Sequence, residues 1–233
     1  MVIRDEGIQS MPVRLAADDV MSCLGSRGRE YPALDADVVW AIGLANELCV
    51  PRAVRRRLAV EKAERDRVSF ALGPTLTGRF MAHLLEGARE AEFIVLTIGP
   101  ALEDEVARLF AEGDAVEAFI LDAAGAAVTM NMLTQLLTEI SDEADGRGWH
   151  VGTCLSPGQS YWDVTGQESI FQAVPADMIG VELLESSFLR PQKSQTAVVP
   201  LGAELKIHGH DDSSCRYCPA TNCPLRLEPQ SVG

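Results

Sequence analysis

Cys215, Cys218 and Cys223, three cysteines within nine positions near the C-terminus, are the residues best suited to chemistry. Cys215 and Cys218, separated by two residues, can present both sulfurs to one metal across a tight turn, and Cys223 can close the same site. Gly209, Pro219 and Pro224 suit a knuckle loop rather than a helix. Three thiolates need a fourth ligand or an open position. His208, His210, Asp212 and Cys154 are candidates, as is a cysteine from another subunit. Spacing leaves the metal open. Zinc held by three cysteines and a histidine would be structural, whereas a [4Fe–4S] cluster on three cysteines and one other ligand would carry electrons. The bland alternative is incidental thiols or a labile disulfide.

A second candidate lies between Cys154 and Gln167. Ser156-Pro157-Gly158 reads as a tight turn, because proline fixes its own φ and restricts its predecessor while glycine adopts conformations closed to other residues. Such a bare turn lets backbone approach a planar or anionic ligand, although surface turns use the same residues. Cys154, Ser156, Pro157, Gly158, Gln159, Tyr161, Trp162 and Gln167 form the candidate ligand-binding stretch, with Lys193 joining it from downstream. Asp163 or Thr165 can cap a helix starting near Gly166, with Ile170 and Phe171 on its buried side.

The elements around these residues follow from composition and periodicity. The chain has 233 residues, 47% of them hydrophobic, enough for one large core or two small ones. Its net charge of −14 disfavours nucleic acid and anionic membrane as partners. No apolar run reads as a membrane span, residues 1–10 lack a signal core, and six cysteines in such a chain read as reduced thiols or metal ligands. The expectation is a soluble, cytoplasmic protein. Residues 1–28 form an N-terminal extension whose Val13, Leu15, Val20, Met21 and Leu24 can dock as a short helix. Asp35 to Leu48 is a helix with Val38, Val39, Ile42, Leu44 and Leu48 on its apolar side and Asp35 or Asp37 as cap.

The basic run after Pro51 (Arg52, Arg55, Arg56, Arg57) reads as a solvated loop neutralising nearby acids, with an anionic ligand as the functional alternative. A helix is expected from Thr75 through Leu85, capped by Thr77. His83, lying on it, reads as a packed or half-exposed side chain rather than a ligand. Glu92 to Ile98, apolar and β-branched, belongs in a sheet centre. Two helices follow, one over Leu102–Ala111 and a long one over Ala115–Ile140 whose Ala123, Ala124, Gly125, Ala126 and Ala127 suit close helix packing. Residues 142–148 read as an acidic loop, and Gln195 to Pro200 as a β-rich run. The fold class is therefore α+β.

Ser156-Pro157-Gly158, the segment from Gln167 to Phe171, Ile179-Gly180-Val181 and Pro191-Gln192-Lys193-Ser194 resemble, in order and spacing, the activation domain of vitamin B12-dependent methionine synthase, and more closely its stand-alone relatives. Thr97-Ile98-Gly99-Pro100 and the stretch from Gly113 to Ala123 add to the resemblance, which spans residues 29–205. It implies a mixed, largely antiparallel sheet packed by helices, and leaves residues 206–233 outside it as the cysteine-rich metal-binding tail read from the cysteine spacing. It also implies reductive activation, Co(II) to Co(I), of a corrinoid protein or corrinoid-dependent methyltransferase, fed by an electron donor protein. That role favours iron–sulfur over zinc in the tail. The alternatives are a non-catalytic docking module holding structural zinc, or a reactivation domain that depends on S-adenosylmethionine. Family members present S-adenosylmethionine on an Arg-x-x-Pro-Gly-Tyr loop. Here Cys154 stands in place of the arginine and Gln159 in place of the tyrosine, so the bidentate partner of the methionine carboxylate is missing. The family's acidic helix position also falls where this chain has Thr129, Met130 and Asn131.

Overall fold

The computed structural model describes residues 7–25, 34–159 and 162–206; the Cys215, Cys218, Cys223, His208, His210 and Tyr161 assignments lie outside them. In chain order, β1 (Gln9–Ser10), α1 (Ala17–Cys23) and α2 (Asp35–Leu48) precede β2 (Arg52–Ala63), β3 (Arg67–Phe70) and β4 (Thr75–Thr77). Then come α3 (Arg79–Leu84), β5 (Glu90–Thr97), α4 (Ala101–Glu112), α5 (Ala115–Asp145) and β6 (His150–Val151). The last elements are α6 (Gln167–Ala173), β7 (Glu182–Leu183), β8 (Leu189–Arg190) and β9 (Ser194–Gly202).

Seven strands make one sheet in the order β4-β3-β2-β5-β9-β6, with β1 also on β2, and β7 and β8 form a separate hairpin. Every pair among the described residues is antiparallel. The sheet curls because β2 pairs with β5 along Arg52–Ala59 and with β3 from Val60 to Ala63, a stretch bent by a register shift between Val60 and Lys62. The fold is α+β, a curled antiparallel sheet packed by helices.

β5 sits between β2 and β9, and all its residues from Ala91 to Thr97 are buried. Helices cover both faces, so neither face can be polar and the segment reads as a continuous apolar run. Ala53, Ile94, Leu96, Ala197 and Val199 face a core shared with α2, α4 and α5. Val54, Phe93, Val95 and Val198 face the other core, which takes Trp162, Ile170 and Ile179. Phe93 meets Phe70 edge to face at 5.0 Å.

The long helix α5 is the spine of the first core. Gly125 lies where an added Cβ would come within 2.7 Å of Leu102 Cδ2, so the small-residue stretch serves close packing against α4. α1 docks on α5, as expected for the extension, with Val20 fully buried. By length and mean hydropathy (1.4) α5 could cross a bilayer, contrary to the sequence reading, but 56% of that window is buried inside the protein. It is a core helix.

Several local expectations need correction. The arginine run is no solvated loop but the first half of β2, adjacent to the central strand. Arg55 and Arg57 project on the α5 side, where Arg57 Nε lies 2.5 Å from Glu92 Oε2. Glu143, in the last turns of α5, takes Arg55 at 2.9 Å and Arg57 at 2.8 Å. Two guanidinium groups thus face two carboxylates, which is what makes half-buried arginines tolerable in a sheet. Residues 142–145 belong to α5 rather than to a loop. Residues 75–77 are strand β4, so Gly78, with φ +121°, begins α3 instead of Thr77. In α2 neither Asp35 nor Asp37 caps the helix, whose N-cap is Leu34. Val39 is 67% exposed while Ala41 and Ala45 line the buried side with Val38.

Candidate functional site

Leu155 fixes the start of the predicted ligand turn to the outer edge of the sheet. β6 contributes two residues to β9, after which Leu155 returns to the same edge. Its N–H donates to the Val198 carbonyl at 2.9 Å, and the Val198 N–H donates back to Leu155 at 2.8 Å. The chain then closes on itself. The Gln159 N–H donates to Ser156 O (3.3 Å), the Trp162 N–H to Gln159 O (2.8 Å), and the Gly158 N–H to Trp162 O (2.8 Å). Gly158 has φ +88° with open space where a side chain would stand, as the predicted turn requires.

Trp162 anchors the far end of this turn. It is 8% exposed, and a Cβ on Gly166 would come 2.1 Å from its indole Nε1. Only glycine lets the indole lie on that backbone. Asp163 Oδ1 accepts from the Thr165 N–H (2.9 Å) and hydroxyl (2.7 Å), starting the helical turn Val164–Gly166 that runs into α6. These bonds, the backbone one foremost, hold the Asp163 carboxyl below its usual range.

The predicted ligand residues separate on inspection. Cys154, Ser156, Pro157, Gly158, Gln159 and Trp162 belong to one turn at the β9 edge. Gln167 is buried and turned to the sheet, where its Oε1 accepts from the Thr196 hydroxyl at 2.7 Å. Lys193 precedes the opposite end of β9, and its Nζ lies 2.8 Å from Asp122 Oδ1 on α5. The neighbouring Gln192 N–H donates to Glu103 Oε2 at 2.7 Å, so this corner is tied to both α4 and α5. Among the described residues, no three His, Cys, Asp or Glu side chains stand close enough together to hold a metal.

Cys154 packs beside the α5-side core, and burial pushes its thiol from the ordinary value of 9.0 up to about 12, with a weaker opposing bond to Ser156. Burial does the same to Cys49, also to about 12. Both are neutral thiols at physiological pH. Native thiols then keep their protons to higher pH than unfolded ones. Their contribution to stability is intact below pH about 9 and falls as pH rises from there toward 12. Iodoacetamide at pH 8 is therefore expected to spare Cys49 and Cys154 in the folded protein and to label both in urea. Labelling of folded Cys154 at the rate of a free thiol would contradict this.

Sequence reading missed two features. One is the half-buried quartet of Arg55, Arg57, Glu92 and Glu143, where burial is the largest influence on Glu92 and raises its carboxyl against the pull of Arg57 and Arg55. The other is a cleft of about 260 Å3 between the N-terminal segment and α5, lined by Pro12, Arg14, Asn131, Thr134 and Gln135 over Val128 and Met132. The Asn131 amide closes one wall, donating to Arg14 O (2.8 Å) and to Asp19 Oδ2 (2.9 Å). Asn131 thus lines an amide- and hydroxyl-bearing cleft.

No family model matches the sequence, and no curated protein matches it. The architecture, a curled antiparallel sheet with a long spine helix on one face, is nevertheless that of the reactivation-domain fold. A crystal structure of the MetH reactivation domain bound to AdoHcy superposes with a TM-score of 0.61 at 12% identity, covering 90% of this chain and 82% of that chain.

Proposed function

We propose that this chain is a reactivation partner of a corrinoid-containing protein, a methyltransferase or its corrinoid subunit, returning inactive Co(II) to Co(I). The observation that carries this reading is the fold likeness over 90% of the chain. The Pro157-Gly158 turn, held out from the sheet edge on bonds of its own, is the surface we assign to the corrinoid side. The reduction takes one electron from a reduced electron-carrier protein. Cys215, Cys218 and Cys223 would hold the relay, with His208, His210 or Cys154 as fourth ligand, and an iron–sulfur cluster there would supply one-electron transfer at low potential.

Presentation of S-adenosylmethionine is the finer question. The position of the family's arginine holds Cys154, a neutral thiol, and the cation expected nearby, Lys193, is already paired with Asp122. Neither can meet a methionine carboxylate as a free charge. These same facts favour the second reading, a docking module with structural zinc and no turnover. Localisation in the cytoplasm, where thiols stay reduced, belongs to either reading.

Iron, acid-labile sulfide and zinc measured on protein purified without oxygen separate the two. Iron and sulfide in near-equal amounts support the relay; stoichiometric zinc without iron supports the docking module. Cys218→Ser is expected to abolish the visible chromophore and Co(II) reduction while leaving the circular dichroism unchanged. Full reductase activity in that variant would exclude the relay. Gly158→Val forces the turn from its φ of +88° and is expected to weaken binding to the corrinoid protein about tenfold. Unchanged affinity by calorimetry would remove the turn from the interface.

A further inference from the structure

The arginine run at the start of β2 is only partly explained by the acids around it. Arg55 and Arg57 meet Glu143, Arg57 also meets Glu92, and Arg56 Nη1 donates to the Ala173 carbonyl at 3.2 Å. Arg52 differs. It is half-buried, its Nε is sealed from solvent without a hydrogen-bond partner, and no carboxylate among the described residues pairs with it. Arg55 and Arg56 each have one such nitrogen too, but their guanidinium groups are held through another. A buried guanidinium N–H without an acceptor is destabilising, which points to an acceptor that comes from outside the chain.

Register places the Arg52 side chain. Gln9 pairs with Ala53 and its Nε2 donates to Glu139 on α5 at 2.9 Å, so the next pair, Ser10 and Arg52, lies on the opposite face of the sheet. Thr97 stands across from Arg52 on β5, and Ser194 across from Thr97 on β9, with the two hydroxyl oxygens 2.9 Å apart. One row over four strands is thus Ser10, Arg52, Thr97 and Ser194, a guanidinium among three hydroxyls with no acid in the row. Thr97 is occupied, since its oxygen also accepts from the Gly99 N–H at 3.1 Å, whereas Ser10 is exposed and directly beside Arg52. Asp177, in the helical turn Ala176–Ile179 that packs on β2, is exposed and forms no ion pair with Arg52. The Lys193–Asp122 pair at the same end of the sheet belongs to the α5 face. A guanidinium only donates, and the serine beside it can donate as well, so the partner that fits is an acceptor carrying negative charge.

We propose that Arg52 anchors an oxyanion site at this end of the sheet, taking a small phosphate or carboxylate group with Ser10 donating beside it. The chain's net charge of −14 repels anions in general, so one that binds marks a local site. The site shares no residue with the Cys154–Trp162 turn and stands whatever that turn binds.

Arginine Nε–H groups shielded from solvent give separate peaks in 1H–15N correlation spectra, and Arg52→Lys identifies the Arg52 peak by its absence. Sodium phosphate and sodium acetate, titrated separately, are expected to move that peak saturably, the tighter of the two naming the group, while sodium chloride at matched ionic strength leaves it in place. Calorimetry with the anion that binds is expected to show at least ~10-fold weaker affinity for Arg52→Lys, which keeps the charge but loses the planar fork. Ser10→Ala, an exposed change on an edge strand, is expected to weaken binding about 5-fold. A peak that neither anion moves would mean that the N–H holds only a water, and would overturn the proposal. So would equal shifts with phosphate, acetate and chloride, which report ionic strength alone, or unchanged affinity in both variants, which puts the anion elsewhere.

Discussion

Alanine at position 87 is expected to cost about 3–5 kcal/mol of folding stability. Alanine at position 158 is expected to cost about 1 kcal/mol. The two glycines share the same backbone conformation, with φ of +85° and +88°. What differs is the surroundings. A Cβ on Gly87 would stand 2.0 Å from the Glu204 carbonyl oxygen and 3.1 Å from Leu205 Cα, both backbone atoms, whereas one on Gly158 meets nothing within 4 Å. Backbone cannot rotate aside as a side chain can. The Arg89 N–H donates to Leu201 O (2.8 Å) and the Lys206 N–H to Glu86 O (3.0 Å), so relief at Gly87 must pull β9 from the start of β5. Urea titration of both variants checks this. Equal losses would mean that the approach of Glu204 contributes nothing.

Removing the Glu143 carboxylate is expected to be comparably severe, about 3 kcal/mol for Glu143→Ala. Arg55 and Arg57, each 16% exposed at the side chain, would keep one carboxylate, Glu92, between them. The cost comes from a half-buried cation left without a partner, not from the lost attraction alone. A variant replacing Arg55 and Glu143 together by methionine and leucine is therefore expected to recover most of the loss, since it removes the charge along with its partner. Thermal unfolding of the single and double variants decides. A double variant as unstable as Glu143→Ala would mean that this end of α5 is held by something other than charge balance.

That quartet also marks where the sequence stops being readable. β5 is legible because burial on both faces leaves an unbroken apolar run, and α2 because its span is set by helical spacing between Leu34 and Cys49. β2 is illegible for the opposite reason. Its arginines look solvated until the chain brings Glu92 from 35 positions away and Glu143 from 86, distances no local pattern encodes. The same holds at the candidate site. The Ser156-Pro157-Gly158 turn and its Asp163 cap follow from residue type. That Gln167 turns inward to Thr196, and Lys193 outward to Asp122, depends on where β9 lies.

The two hydrogen bonds between Leu155 and Val198 have a consequence beyond placing the turn. β9 would otherwise end the sheet with a free rim beyond its two residues of pairing with β6, and a long apolar strand with open N–H and C=O groups invites pairing with a second chain. Leu155 occupies part of that rim, and the turn after it, where Gly158 bonds back to Trp162, does not continue as a strand. By pairing with Val198, Leu155 is expected to discourage strand pairing through that edge. Substitutions that loosen the turn's closure are therefore expected to raise self-association through the sheet edge.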